Sequence, residues 1–71
     1  MYTCLLKHYR KIAGISQTRL SDYVHISQNT ISDYENDKII PNLKHADILA
    51  KFFKVSIYDL FHLMSEEYIH G

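Results

Sequence analysis

Four polar side chains fall at a spacing that would place them on one face of a helix. They are Gln28, Asn29, Ser32 and Asp33. At about 100° per residue these positions span about 140° of a helix, and apolar Ile31 falls on the other side. Amide, hydroxyl and carboxylate groups in such an array can pair with the polar edges of flat ligands such as bases. Taken alone, the pattern is more typical of an ordinary solvent-exposed helix face.

Histidine and cysteine residues are the other candidates for chemistry, and their spacing favours no site. No two histidines lie four residues apart, and no second cysteine is present to complete a metal site. The histidines are His8, His25, His45, His62 and His70. Neither a glycine-rich phosphate loop nor a nucleophile elbow occurs. The sequence therefore predicts no catalytic, metal or cofactor site, and a protein that is not an enzyme.

The composition is that of one small soluble domain. The 71 residues are 46% hydrophobic and 23% charged, which excludes disordered and collagen-like chains. Apolar runs of two or three residues fall far short of the roughly twenty that cross a membrane. A single cysteine, Cys4, cannot form an internal disulfide. We expect a cytoplasmic protein with no membrane partner, a domain over residues 1–64, and a tail or helix extension over residues 65–71.

Charge is distributed unevenly along the chain, although the formal net charge is zero. Residues 1–20 carry four basic side chains and no acidic one, whereas acidic residues outnumber basic ones over residues 21–50. Zero net charge argues against a nucleic-acid partner, but the basic first segment keeps that class of partner open. A segment of this kind is also typical of a solvated helix face.

A repeated pattern marks three helix starts. Each copy has an apolar residue, a serine, three variable residues and a second apolar residue, and the serines are Ser16, Ser27 and Ser56. A serine at this place caps a helix through its hydroxyl, while the two apolar residues form a hydrophobic staple. Asn42 follows the single proline and is the expected cap of a further helix.

These signals together predict an all-α chain of five helices. Glycine and proline are scarce and alternating apolar patterns are few, which disfavours a sheet. Apolar stripes on the first and fourth helices include Ile12 and Leu43. The three residues between the second and third helices suit a steep crossing, as in a helix-turn-helix. The predicted helices cover residues 3–13, 17–24, 28–36, 43–53 and 57–64.

Residues 17–36 resemble the helix-turn-helix of phage-repressor-like (Cro-like, XRE) transcriptional regulators. The matching positions are Leu20, Ser21, Val24, Ile26, Ile31 and Tyr34. Matches at Arg10, at residues 14–17 and at residues 55–60 extend the resemblance to about residues 5–61. The resemblance implies a compact five-helix, lambda-repressor-like DNA-binding domain in which helices two and three form the helix-turn-helix.

The resemblance assigns roles to individual side chains. It turns the polar face of helix three toward the major groove of double-stranded DNA. The expected base-reading residues are Gln28, Asn29, Ser32 and Asp33. The expected phosphate contacts are Gln17, Asn36 and Lys38, with Ser16 and Arg19 in addition. In this family an ion pair often joins the positions of Arg10 and Glu35, between helix one and the end of helix three.

Three positions depart from the family pattern, which commonly has glycine there. They are His25, Asp37 and Lys54. If the backbone is left-handed at these positions, each side chain adds strain of roughly 1 kcal/mol. We expect the fold to survive the strain with some loss of stability.

The predicted function is transcriptional regulation by a repressor that binds a palindromic operator as a homodimer. Two alternatives remain, a DNA-binding antitoxin that autoregulates its operon and a protein-interaction module on the same fold. A toxin or an antirepressor protein is accordingly a further candidate partner, and no effector-binding domain is expected. An apolar stripe toward the end of the chain is the expected dimer contact, and the alternative is that Leu60 and Phe61 complete the core of the monomer while the final residues fray. The residues of the stripe are Ile57, Leu60, Phe61, Met64, Tyr68 and Ile69.

Overall fold

A computed structural model describes residues 4–61, which form five α-helices without a β-strand. The helices are α1 (Leu6–Ile12), α2 (Gln17–Val24), α3 (Gln28–Glu35), α4 (Leu43–Phe53) and α5 (Ile57–Phe61). The predicted all-α class is confirmed. α1 is shorter than predicted and α3 ends one residue early, whereas the predicted helix end at residue 64 lies outside the described residues. None of these helices is long and apolar enough to cross a membrane.

Capping side chains set the starts of α2, α3, α4 and α5. In each case the cap oxygen accepts a hydrogen bond from the backbone N–H three residues later. The pairs are Ser16 and Arg19 (3.0 Å), Ser27 and Thr30 (3.2 Å), Asn42 and His45 (2.7 Å), and Ser56 and Asp59 (2.9 Å). At α5 the Asp59 carboxylate also accepts from the Ser56 N–H at 3.4 Å, which completes a capping box. The caps predicted from the sequence are therefore confirmed.

Within residues 4–61, four residues have a left-handed backbone, and a glycine occupies just one of these positions. Gly14 has a φ of 72°, and His25, Asp37 and Lys54 have φ angles of 58°, 58° and 60°. The last three are the positions where the resembling regulators commonly have glycine. The chain keeps the left-handed turns there and accepts strain of roughly 1 kcal/mol at each.

The core receives side chains from all five helices. Its largest fully buried members are Phe61, Leu6, Leu20, Ile31, Leu49 and Leu60. Each such side chain contributes about 1.5–3 kcal/mol when it leaves water. The predicted apolar stripes are wrong at Ile12 and Leu43, which are 69% and 67% exposed. Ile12 ends α1 and Leu43 begins α4, so each stands at a helix terminus that no neighbouring helix covers.

The two ends of the described chain meet beside the core. The backbone N–H of Leu5, just before α1, donates to the carbonyl of Leu60 in α5 at 2.8 Å. Leu60 and Phe61 are both 0% exposed, so they complete the core and cannot form the predicted dimer contact. Ile57 is half-buried. The remaining members of that stripe, Met64, Tyr68 and Ile69, lie outside the described residues.

A hydrogen bond and buried side chains fix the geometry of the turn between α2 and α3. The hydroxyl of Ser21 donates to the carbonyl of Ile26 at 2.6 Å across the turn. Val24 and Ile26 are buried beneath it, together with Ile31 of α3. A larger side chain at position 21 would separate the two helices, so the small serine helps to fix the direction in which α3 points.

Candidate nucleic-acid interface

One side of α3 is polar and open to solvent, while the other side packs into the core. Gln28 and Asn29 are exposed, and Ser32 and Asp33 are half-buried. Ile31, on the opposite side, is 0% exposed. The structure therefore brings the four residues predicted to read bases onto one accessible face.

An ion pair joins α1 to the last residue of α3. Nε of Arg10 donates to Oε2 of Glu35 at 2.7 Å, and Nη2 donates to Oε1 at 3.1 Å. Nη1 of Arg10 also donates to the carbonyl of Ile15 at 2.9 Å. The Arg10 and Glu35 side chains are 11% and 2% exposed, so two charges largely removed from water compensate each other. The pair fixes the end of α3 against α1.

Gln17, the first residue of α2, joins the same network. Its Nε2 donates to Oε1 of Glu35 at 3.0 Å. The resemblance predicts a phosphate contact for Gln17, and this bond engages one N–H of its amide. The amide nitrogen carries a second N–H donor, and a phosphate oxygen is an acceptor that it could bind. Three helices therefore meet at the carboxylate of Glu35.

A second side-chain bridge connects α2 with the polar face of α3. The hydroxyl of Thr18 donates to Oε1 of Gln28 at 3.0 Å. Gln28 is the first residue of α3, and Thr18 is the second residue of α2. Sequence reasoning missed Thr18. The available signal was positional, because a three-residue turn brings the first turns of the two helices close together.

The end of α3 positions two more of the predicted contacts. Nδ2 of Asn36 donates to the hydroxyl of Ser32 at 3.3 Å, along the same face. After the left-handed Asp37, the backbone N–H of Lys38 donates to the carbonyl of Asp33 at 2.9 Å. Lys38 is exposed and is held by its backbone beside the polar face.

The two additional phosphate candidates are placed differently. The hydroxyl of Ser16 accepts the backbone N–H of Arg19 at 3.0 Å, so Ser16 serves as the cap of α2. Arg19 is exposed. It follows Gln17 by two residues and therefore points about 160° away from it around α2. The structure does not bring Arg19 to the side of α2 that Gln17 occupies.

Tyr34 anchors α3 to α4 on the buried side. Its hydroxyl pairs with Nδ1 of His45 at 2.7 Å, and the two rings meet edge to face with centroids 6.0 Å apart. Tyr34 is 2% exposed, and this burial raises the pKa of its phenol. The neutral phenol is therefore the form that holds α3 in place.

Comparison with known protein families identifies this arrangement. The family model described as helix-turn-helix matches residues 6–60. The chain belongs to the helix-turn-helix family. The resemblance to phage-repressor-like (XRE) regulators is thereby confirmed. In this helix-turn-helix, α2 is the first helix and α3 is the second, whose polar face is described above.

Two curated relatives are regulators with a helix-turn-helix. An uncharacterized HTH-type transcriptional regulator of Methanocaldococcus jannaschii is 41% identical over 56 residues, which are 79% of this chain and 85% of that protein. The HTH-type transcriptional activator BcrR of Enterococcus faecalis is 33% identical over 64 residues, which are 90% of this chain and 30% of that protein. This helix-turn-helix chain is accordingly a DNA-binding transcriptional regulator.

The helix-turn-helix surface offers hydrogen-bonding groups in a fixed frame. Within residues 4–61, no three His, Cys, Asp or Glu side chains come together as a metal site would require. The buried Arg10–Glu35 pair and the Tyr34–His45 contact hold α3 from its last turn and from its inner side. The polar face of α3 can therefore bind a partner without first being rearranged, which lowers the entropic cost of binding.

Proposed function

We propose that this protein binds a specific sequence in double-stranded DNA by laying the polar face of α3 in the major groove. The observation that carries the proposal is that this face is accessible while two contacts fix the rest of α3. These contacts are the Arg10–Glu35 ion pair and the Tyr34–His45 hydrogen bond. Hydrogen-bonding groups on a rigid helix can match the donor and acceptor pattern of base edges. The protein acts in the cytoplasm, and its role is binding without catalysis.

The base-reading residues offer different chemistry along the face. Asn29 can pair with adenine through both amide atoms, and the hydroxyl of Ser32 can donate or accept. The Asp33 carboxylate can accept from N4 of cytosine, and it repels nearby phosphates where that donor is absent. Asp33 therefore sharpens sequence choice while lowering the affinity for DNA in general.

Phosphate contacts flank this face and set its register. Gln17 and Asn36 lie at the start of α2 and just after α3, and Lys38 adds a positive charge beside the end of α3. Contacts of this class position the protein without reading sequence. Ser16, the cap residue before α2, and Arg19, on the side of α2 away from Gln17, complete the proposed set.

The regulator acts as a repressor, and it binds a palindromic operator as a homodimer. A single α3 covers few base pairs, and two half-sites about 10 base pairs apart are the common remedy for the limited affinity of one helix. Repression needs only occupation of a promoter. The activator BcrR is a longer protein of which this chain matches 30%, so activation there gives no reason to expect it here.

Selection of bound sequences from randomised duplexes tests the proposal directly. We expect one preferred motif with approximate two-fold symmetry. Absence of any preferred sequence would reject specific recognition and favour a protein-interaction module. A motif without symmetry, bound by a monomer in sedimentation, would reject only the homodimer. Stable co-purification of a second protein would point to the antitoxin alternative.

Salt titration on the selected duplex provides the second test. Neutralised phosphates release counterions, so the logarithm of affinity falls with the logarithm of salt concentration by about 0.9 per contact. We expect a steep dependence in spite of the zero net charge of the chain. A scrambled duplex is the matched control, and equal affinity for both duplexes would contradict sequence-specific binding.

A further inference from the structure

The hydrogen bond from Thr18 to Gln28 connects a residue of α2 with a proposed base-reading residue of α3. The hydroxyl of Thr18 lies 3.0 Å from Oε1 of Gln28, and both side chains are exposed. A carbonyl oxygen carries no hydrogen, so the threonine hydroxyl must be the donor. Oε1 of Gln28 is therefore held toward α2.

Fixing the oxygen also fixes the nitrogen, because the amide group is planar. With Oε1 turned to Thr18, Nε2 is the part of the amide that a DNA base can meet. It carries two N–H groups, and both are donors. The bond to Thr18 takes one of the two lone pairs of Oε1 and turns that oxygen toward α2, so Gln28 presents mainly the donors of Nε2 to its partner.

The two purines differ at this point in the major groove. Guanine presents two acceptors, N7 and O6, whereas adenine presents one acceptor, N7, beside the donor N6. Recognition of adenine by glutamine needs Oε1 to accept from N6, and the bond to Thr18 turns that oxygen toward α2. Guanine fits the two N–H groups of Nε2 directly.

We propose that Thr18 is a positioning residue that turns Gln28 into a reader of guanine in preference to adenine. This inference rests on the proposed function, since it assumes that α3 lies in the major groove. Asn29 serves as the internal comparison, because it is the other amide on the exposed part of the face and its reading of DNA should not depend on Thr18.

The test uses the full chain with Thr18→Val, which keeps the β-branched shape and removes the hydroxyl. Thr18→Ser is the conservative control, because it keeps the donor. Gln28→Ala identifies the operator position that Gln28 reads, and competition between guanine and adenine duplexes at that position is then measured for each variant. Thermal unfolding of each variant reports on the fold.

We expect the wild-type protein and Thr18→Ser to prefer guanine, and Thr18→Val to shift the ratio toward adenine by roughly tenfold. The shift should vanish in the Gln28→Ala background, and preferences at the Asn29 position should stay unchanged. A purely structural role for Thr18 would alter all positions alike or lower the unfolding temperature.

Several results would overturn the inference while leaving DNA recognition intact. A wild-type preference for adenine at the Gln28 position is one, and an unchanged ratio in Thr18→Val is another. A selected motif that Gln28→Ala does not alter would also overturn it. If the wild-type protein selects no sequence at all, the proposed function fails and the inference fails with it.

Discussion

Within residues 4–61, the ion pairs Arg10–Glu35 and Lys51–Asp47 each join a basic side chain to a carboxylate, but in different settings. Nε of Arg10 and Oε2 of Glu35 are 2.7 Å apart, and their side chains are 11% and 2% exposed. Nζ of Lys51 and Oδ2 of Asp47 are 3.1 Å apart, with side chains that are 77% and 49% exposed. The first pair connects α1 with α3, whereas the second lies one turn apart within α4.

Access of water separates the roles of the two pairs. Water screens the Lys51–Asp47 pair, so either partner is well solvated without the other. Arg10 and Glu35 depend on each other and on Gln17 and Ile15, because little water reaches them. A buried pair is a demanding arrangement whose main effect is to fix geometry, here the position of α3.

Loss of one partner of the buried Arg10–Glu35 pair should lower the free energy of unfolding more than the other changes. Arg10→Met leaves the Glu35 carboxylate buried without its cation, and we expect the free energy of unfolding to fall by about 3–5 kcal/mol. Glu35→Leu should have a similar effect. Urea denaturation measures both.

The double variant Arg10→Met/Glu35→Leu sharpens this prediction. Removal of both charges leaves no uncompensated ion, so the double variant should be more stable than either single variant. Simple addition of the two single effects would show that the charges do not act on each other.

The polar face of α3 should show a second contrast, between residues that read bases and a residue that contacts phosphate. Gln28→Ala and Asn29→Ala should each lower the affinity for the selected duplex by about 1–3 kcal/mol and relax base preference at one position. Lys38→Ala should weaken binding to all sequences nearly alike and reduce the salt slope by about 0.9. Fluorescence anisotropy on selected and scrambled duplexes measures these effects. An unaltered motif in the Gln28 and Asn29 variants would mean that α3 is not the reader.

The buried hydroxyl of Tyr34 should make stability sensitive to alkaline pH. Because burial raises the pKa of Tyr34 in the folded protein, its stabilising effect is complete below the pKa of the unfolded chain. Stability should then fall as pH rises toward the higher folded value, by at most about 1.4 kcal/mol per pH unit. Urea denaturation at several alkaline pH values measures this slope.

Tyr34→Phe and Tyr23→Phe are the matched variants for the alkaline series. Tyr34→Phe should flatten the slope and also remove the bond to His45. Tyr23→Phe removes the hydroxyl of a tyrosine that is 55% exposed, and its slope is compared with that of Tyr34→Phe. Equal slopes in the wild-type protein and Tyr34→Phe would contradict the role given to the buried phenol.

Loss of the exposed Lys51–Asp47 pair should change the free energy of unfolding least. We expect Lys51→Ala to change the free energy of unfolding by no more than about 0.5 kcal/mol, since exposed pairs four residues apart contribute little. Urea denaturation at low and high salt measures it. A loss that approaches that of Arg10→Met would remove the distinction drawn between the two pairs.

Local signals made much of the fold predictable. Ser16, Ser27, Asn42 and Ser56 act through N–H groups only three residues away, so the sequence alone locates four helix starts. The prediction of burial is wrong at Ile12 and Leu43. Helical periodicity says only which side of a helix is apolar. It does not say whether a neighbouring helix reaches the end of that side.

Contacts across helices were the part that could not be derived from spacing. The meeting of Arg10 with Glu35 spans 25 residues and was expected only from the family resemblance. The bonds of Gln17 to Glu35 and of Thr18 to Gln28 depend on side-chain rotamers at the crossing of two helices. Neither crossing geometry nor rotamers leave a periodic trace in the sequence.

The backbone bond between Leu5 and Leu60 bears on how the domain can be joined to other molecules. Because the N–H of Leu5 reaches the carbonyl of Leu60 at 2.8 Å, chain entry and chain exit share one point of the domain. A label or a fused protein joined directly before residue 4 or after residue 61 would be attached at neighbouring points of the domain. A short linker across that point would turn the five helices into a closed ring, from which circular permutants could be cut at the exposed loops.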